Sequence, residues 1–206
     1  MLISKFQYLT QDLPDVSHKE LTEVACKNGI RWVQLRVKNK PFDEWLRIAR
    51  EVKQVCDCYE ATLIINDNVE IAKTIDVHGV HLGKQDMSIW EARAMLGATK
   101  IIGGTANTSE DVLRLLEQGA DYIGLGPYKV TDTKKNLAPV LGLKGYAEIL
   151  ELMPVGVTIP VIAIGGIQSE DVSPLLQTGV YGVAVSSAIN LSNDKEKTIT
   201  SFLHLL

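Results

Sequence analysis

The 206-residue chain has little of what marks several whole classes of protein. It carries three cysteines, Cys26, Cys56 and Cys58, an odd set that builds no disulfide framework and points to reduced thiols in the cytoplasm. Cys56 and Cys58 stand two apart in an expected helix, so their side chains diverge and make a poor metal pair. No apolar run approaches the roughly 20 residues needed to cross a bilayer, so no membrane partner is expected. The N-terminal stretch MLISKFQYLTQDLP lacks a basic region followed by a long apolar core, and no secretory leader is expected. Neither sign of charge dominates. A formal net charge of −4 argues against a general nucleic-acid binder. No GxGxxG follows the first strand-like run, which weakens a dinucleotide-binding open sheet. Four histidines form no Ser-His-Asp or Cys-His arrangement.

What is present is an ordinary globular composition, 46% hydrophobic and 22% charged, carrying a repeated alternation. Strands are expected at 6–9, 32–37, 62–66, 79–82, 100–104, 122–126, 160–165 and 182–186. Segments with helical spacing lie between them, at 17–28, 42–57, 88–96, 109–118, 142–152, 169–177 and 193–206, with a weaker short helix at 67–75. Gly29, Gly119 and Gly179 each follow a helix, where a left-handed cap needs no Cβ. Thr108 and Ser169 read as N-caps, with Asp111 and Asp171 behind them to complement the helix dipole. Eightfold β-α alternation without a linker predicts an α/β fold, a (βα)8 TIM barrel forming a single domain over residues 1–206.

In such a barrel, chemistry belongs at the C-terminal ends of the strands. Those ends carry Gln34, Arg36 and Lys38; Asn66 and Asp67; Asp86; Thr105 and Asn107; Gly165 and Gly166; Ser186 and Ser187. In LIIND and GVHLGKQD, apolar runs end near Asp67 and Asp86, two carboxylates able to hold a hard cation such as Mg2+. IPVIAIGGI and GVAVSSAI close the last two strands with glycines and hydroxyls, a recurrent phosphate cradle of this fold. The long loop GLGPYKVTDTKK, with Thr131, Thr133, Lys134 and Lys135, suits folding over a polyphosphate. Alternation puts Gln34, Arg36 and Lys38 on one side of their strand, facing a ligand. His81 reads as a hydrogen-bonded packing residue rather than an acid-base group. His18, His78 and His204 carry no pattern.

The segments QLRVK, LIINDNVEIA, GVHLGKQD, IIGGTANT, DYIGLGPYKVTDTKK, IPVIAIGGI and GVAVSSAI, in this order and spacing, resemble the thiamine-phosphate synthase (thiamine-phosphate pyrophosphorylase) family along essentially the whole chain. The resemblance implies a Mg2+-dependent transferase of thiamine biosynthesis. It would couple 4-amino-5-hydroxymethyl-2-methylpyrimidine diphosphate with 4-methyl-5-(2-hydroxyethyl)thiazole phosphate, giving thiamine phosphate and pyrophosphate. It further implies Asp67 and Asp86 as metal ligands. Gln34, Arg36, Lys38, Asn66, Thr105 and Lys134 would surround the pyrimidine diphosphate, with Lys38, Asn66, Thr105 and Lys134 as the catalytic set. Thr131, Thr133, Gly166, Ser186 and Ser187 would hold the thiazole phosphate. The partners implied are small-molecule substrates, and a homo-oligomer is left open. Three departures stand out: Val37 where QLREK has an acid, Thr105 where serine is common, and Asn107 where histidine is frequent. The alternatives are a thiazole tautomerase, which relies on a histidine near Asn107, a non-catalytic binder of thiazole or thiamine phosphate, and a sugar-phosphate epimerase on fold alone.

Overall fold

A computed structural model describes residues 3–130 and 139–206. Eight parallel strands close into a barrel in sequence order: β1 (Phe6–Leu9), β2 (Trp32–Leu35), β3 (Thr62–Asn66), β4 (Gly79–Leu82), β5 (Ile101–Ala106), β6 (Tyr122–Leu125), β7 (Val161–Ile164) and β8 (Gly182–Val185). β8 returns to β1 with Phe6 opposite Val183. The expected TIM-barrel architecture is therefore the observed one.

Helices wrap the outside: α1 (His18–Lys27), α2 (Phe42–Cys58), α3 (Val69–Thr74), α4 (Ile89–Leu96), α5 (Ser109–Glu117), α6 (Gly142–Glu151), α7 (Val172–Gln177), α8 (Ser187–Asn190) and α9 (Lys195–Leu203). α2 buries Trp45, Ala49, Val52 and Cys56, spaced three to four residues apart so that one face meets the strands. Cys58 is exposed on the same helix while Cys56 is buried, the divergence the spacing requires. α5 starts at a capping box in which Thr108 accepts from Asp111 N–H. Gly29, Gly119 and Gly179 all take positive φ after their helices, as expected.

The apolar interior has two parts. One large cluster fills the layer between strands and helices. A smaller one, including Trp32, Ile64, Ile101, Tyr122, Ile162 and Ala184, fills the barrel itself. The outward and inward sets alternate along each strand, the period-two pattern of a strand buried on both faces.

Three expectations need correction, and one helix had no counterpart among them. β2 ends at Leu35 rather than Val37, because Arg36 N–H donates to Thr10 Oγ1 at 3.1 Å and Lys38 N–H to Asp12 Oδ2 at 3.0 Å. β5 runs on to Ala106 through Gly103-Gly104. A Cβ on Gly103 would lie 2.2 Å from Tyr122 Cζ, and one on Gly104 2.3 Å from Leu115 Cδ2, so those glycines make room for neighbours rather than ending the strand. Ser169 is not an N-cap: it begins a 3-10 turn, Ser169–Asp171, and Asp171 Oδ2 accepts from Gln168 N–H at 3.0 Å. α8 was not foreseen, because four residues are too few for a helical period to show.

Candidate functional site

The strand ends bring together most of the residues singled out from sequence. At the end of β3, Asn66 is buried, and Asp67 adopts φ 65°, a left-handed conformation uncommon for a residue with a Cβ. Lys38, carried by the segment after β2, forms an ion pair with Asp67 Oδ2. Asp86, in the loop after β4, accepts from Gly83 N–H at 2.7 Å, and its carboxyl is close enough to that of Asp67 for each to shift the other's ionisation. The two acids thus meet at the barrel mouth.

Their titration follows from that meeting. Burial raises the Asp86 carboxyl above the usual carboxylate range, and the Asp67 carboxylate beside it raises it further. Burial opposes ionisation of Asp67 as well. There the Lys38 ammonium and the neighbouring Asp86 carboxyl outweigh it, and Asp67 lies below the usual range. Burial lowers the Arg36 guanidinium, while Asp67 and Asp12 pull the other way.

Beneath the mouth runs a chain of side-chain hydrogen bonds across the barrel. Gln34 Nε2 donates to Gln7 Oε1 at 3.1 Å, and Gln7 Nε2 donates to the Tyr122 hydroxyl at 3.2 Å. Tyr122 OH pairs with His81 Nδ1 at 3.0 Å, and His81 Nε2 with Thr105 Oγ1 at 2.9 Å. His81 is buried and hydrogen-bonded, as expected, and one of its partners is a predicted site residue. Asn107 is spent structurally: its Nδ2 donates to Gly126 O, and its N–H to Asp111 Oδ2 at 2.9 Å.

On the opposite side, Gly165 and Gly166 follow β7 with φ 103° and 70°. A Cβ on Gly165 would lie 2.8 Å from Pro127 Cα, and one on Gly166 2.9 Å from Lys129 Cβ, so this backbone packs closely against the segment after β6. Lys129 N–H donates to Gly165 O at 2.9 Å, and Lys129 Nζ grips Asp171 Oδ1 at 2.7 Å. Ser186 and Ser187 lie at the end of β8 and the start of α8, where Ser186 Oγ accepts from Asn190 Nδ2 at 3.1 Å. Thr131, Thr133, Lys134 and Lys135 lie outside the described residues.

Sequence reading passed over five residues. His18 is buried, its Nδ1 2.9 Å from Thr10 Oγ1 and its Nε2 3.1 Å from Asp12 Oδ1. Thr10 and Asp12 in turn hold the backbone of Arg36 and Lys38. Gln7 and Tyr122 complete the interior chain. A glutamine in the otherwise apolar FQYL was the one signal available, since a buried amide needs partners.

Residues 8–189 match the model of a family described as thiamine monophosphate synthase. The thiamine-phosphate synthase of Bacteroides fragilis is 48% identical over 200 residues, covering 97% of this chain and 98% of that protein. The thiamine-phosphate synthase of Flavobacterium johnsoniae is 45% identical over 196 residues, covering 95% and 92%. Thiamine phosphate pyrophosphorylase from Pyrococcus furiosus superposes with a TM-score of 0.85 at 33% identity, over 98% of this chain and 94% of that one.

Proposed function

Because the chain belongs to the thiamine-phosphate synthase family, we propose that it joins 4-amino-5-hydroxymethyl-2-methylpyrimidine diphosphate to 4-methyl-5-(2-hydroxyethyl)thiazole phosphate, releasing pyrophosphate. The observation that carries this reading is the pairing of Asp67 with Asp86 beside Lys38 at the rim, across from the Gly165-Gly166 turn. One side suits a diphosphate, the other a monophosphate. Among the described residues no helix is long and apolar enough to cross a membrane.

The two acids fit Mg2+. Carboxyls brought this close disfavour double ionisation, and a hard cation with oxygen ligands relieves that conflict. Among the described residues no group of three His, Cys, Asp or Glu side chains could hold a metal ion. A cation held by Asp67 and Asp86 would take its remaining ligands from water and substrate phosphate. When bound, Mg2+ would supply Lewis-acid neutralisation of the diphosphate.

The residues present then bind and orient. Lys38 and Arg36 place positive charge where the leaving group accumulates negative charge. The methylene–oxygen bond breaks with its electron pair leaving on pyrophosphate, and the thiazole nitrogen lone pair forms the new C–N bond. No protein nucleophile takes part. Holding the two substrates in line is the larger contribution of the barrel. The Gly165-Gly166 turn after β7 and Ser186 and Ser187 at the junction of β8 and α8 would hold the thiazole phosphate. The test is a mass-spectrometric assay for thiamine phosphate with both substrates, with and without Mg2+. Product should require all three components and fall by about a hundredfold or more in Asp67→Ala and Asp86→Ala. Undiminished Mg2+-dependent turnover in both variants would refute the metal assignment.

A further inference from the structure

We propose that Tyr122, oriented by Gln7 and Gln34, is a positioning residue that fixes the tautomer of His81 and so aims the Thr105 hydroxyl proton out of the barrel at an anionic substrate oxygen. This rests on the reading of the mouth as the diphosphate site.

The hydrogen-bond chain allows two polarities. In the first, Gln34 and Gln7 donate through their amide N–H groups, ending at the Tyr122 oxygen. The phenol proton then goes to His81 Nδ1, 3.0 Å away, making that nitrogen the acceptor. A neutral imidazole so placed carries its proton on Nε2 and donates it to Thr105 Oγ1, 2.9 Å away. Thr105, its oxygen already accepting, keeps its own proton to give elsewhere. In the second polarity every amide is turned over, Thr105 donates inward to Nε2, and only oxygen lone pairs face the mouth.

The mouth selects between them. Thr105 stands at the end of β5 with His81 below it, and an anion seated beside Lys38 and Arg36 is attracted by an outward O–H and repelled by outward lone pairs. The outward-donating polarity is therefore the one that complements an anion. Burial keeps the phenol protonated, holding Tyr122 far above its ordinary value, so the chain does not lose its central link by ionisation.

The barrel is shaped for these two rings. A Cβ on Gly103 would overlap Tyr122 Cζ at 2.2 Å, and one on Gly124 would press on His81 Cε1 at 2.9 Å. Tyr122 also meets Trp32 edge-on, with ring centroids 5.0 Å apart. The phenol cannot swing away, and its hydroxyl stays on the imidazole.

The experiment is long-range 1H–15N correlation on 15N-histidine-labelled protein, with His81 assigned from a His81→Gln sample. The wild-type enzyme saturated with inorganic pyrophosphate and Mg2+ should show the Nε2–H form. Tyr122→Phe should lose that preference and lower kcat by about ten- to a hundredfold, with KM for the pyrimidine diphosphate changing much less. Gln7→Met, which leaves the phenol in place, should shift the signal in the same direction by a smaller amount, and it carries the test if Tyr122→Phe does not fold. A wild-type Nδ1–H form, or an unchanged signal and kcat in the variants, would overturn the proposal. The tautomer is read without turnover, so failure of the proposed reaction would leave this measurement standing.

Discussion

Replacing His18 with alanine should damage stability and catalysis together, although no substrate need touch that ring. The imidazole is buried and bonded at both nitrogens, to Thr10 at 2.9 Å and to Asp12 at 3.1 Å. A net hydrogen bond contributes about 1 kcal/mol. The bond to Asp12 is held to a similar value because that side chain is 38% exposed and solvent screens it. The space left by the ring adds about 1 kcal/mol more. Together these give about 3 kcal/mol, or a Tm lowered by about 6–12 °C for a chain of this size. Thr10 and Asp12 also accept the backbone N–H groups of Arg36 and Lys38, so the cationic segment should loosen and kcat/KM should drop about tenfold or more. Thr10→Val, which conserves volume but removes the hydroxyl, should reproduce most of the kinetic loss with a smaller thermal shift. Calorimetry and steady-state kinetics on both variants make the check. A lowered Tm with wild-type kcat/KM in both variants would refute the tether, and an unchanged Tm in His18→Ala would refute the packing argument.

Gly103→Ala should destabilise the barrel by about 1–3 kcal/mol through overpacking, since its Cβ would sit 2.2 Å from Tyr122 Cζ; urea unfolding reads the change. Burial pushes the Asp111 carboxyl up, but Lys84, the Asn107 N–H and Arg114 together leave it below the usual range. A carboxylate depressed in the folded state stabilises above its unfolded pKa of about 4 and loses that contribution as pH falls through the folded value. Asp111→Asn should therefore be less stable at neutral pH and show a flatter acid limb in unfolding, and equal pH dependence of the two proteins would contradict this. A thiol reagent should label only Cys58 in the native protein, because Cys26 and Cys56 are buried, with all three reacting after unfolding; two or more labels on the native fold would disagree with the packing of α1 on α2.

The barrel was legible because each strand is a short apolar run that stops at polar residues, and each following segment has helical spacing. β3, from Thr62 to Asn66, and β4, from Gly79 to Leu82, begin and end where the pattern places them. β2 stops two residues early because two side chains from the segment after β1 take the N–H groups of Arg36 and Lys38. That competition lies 26 residues away in sequence and leaves no local trace. The Gly103-Gly104 pair misled for a related reason. Glycine reads as punctuation in a sequence, whereas here it admits Tyr122 on one face and Leu115 on the other. Asp67, Asp86 and Lys38 were readable as charged residues ending buried runs. His18 and Tyr122 were not, since a buried polar ring is indistinguishable from a packing residue until its partners are known.

The interior changes character along each strand, and that change explains why the rim can act. Gln34 follows Trp32 by two positions on β2, Asn66 follows Ile64 by two on β3, and Thr105 follows Ile101 by four on β5. The lower side chains form the apolar plug; the upper ones are polar. A polar chain laid on an apolar floor gains electrostatic strength from the low dielectric beneath it and incurs a correspondingly large cost for any unpaired member. Gln7, Gln34, Tyr122, His81 and Thr105 each have a partner within 3.2 Å, so that cost is avoided by a single connected arrangement. Rigidity at the floor is then a consequence of satisfying buried polar groups. The rim side chains that meet substrate inherit their aim from it.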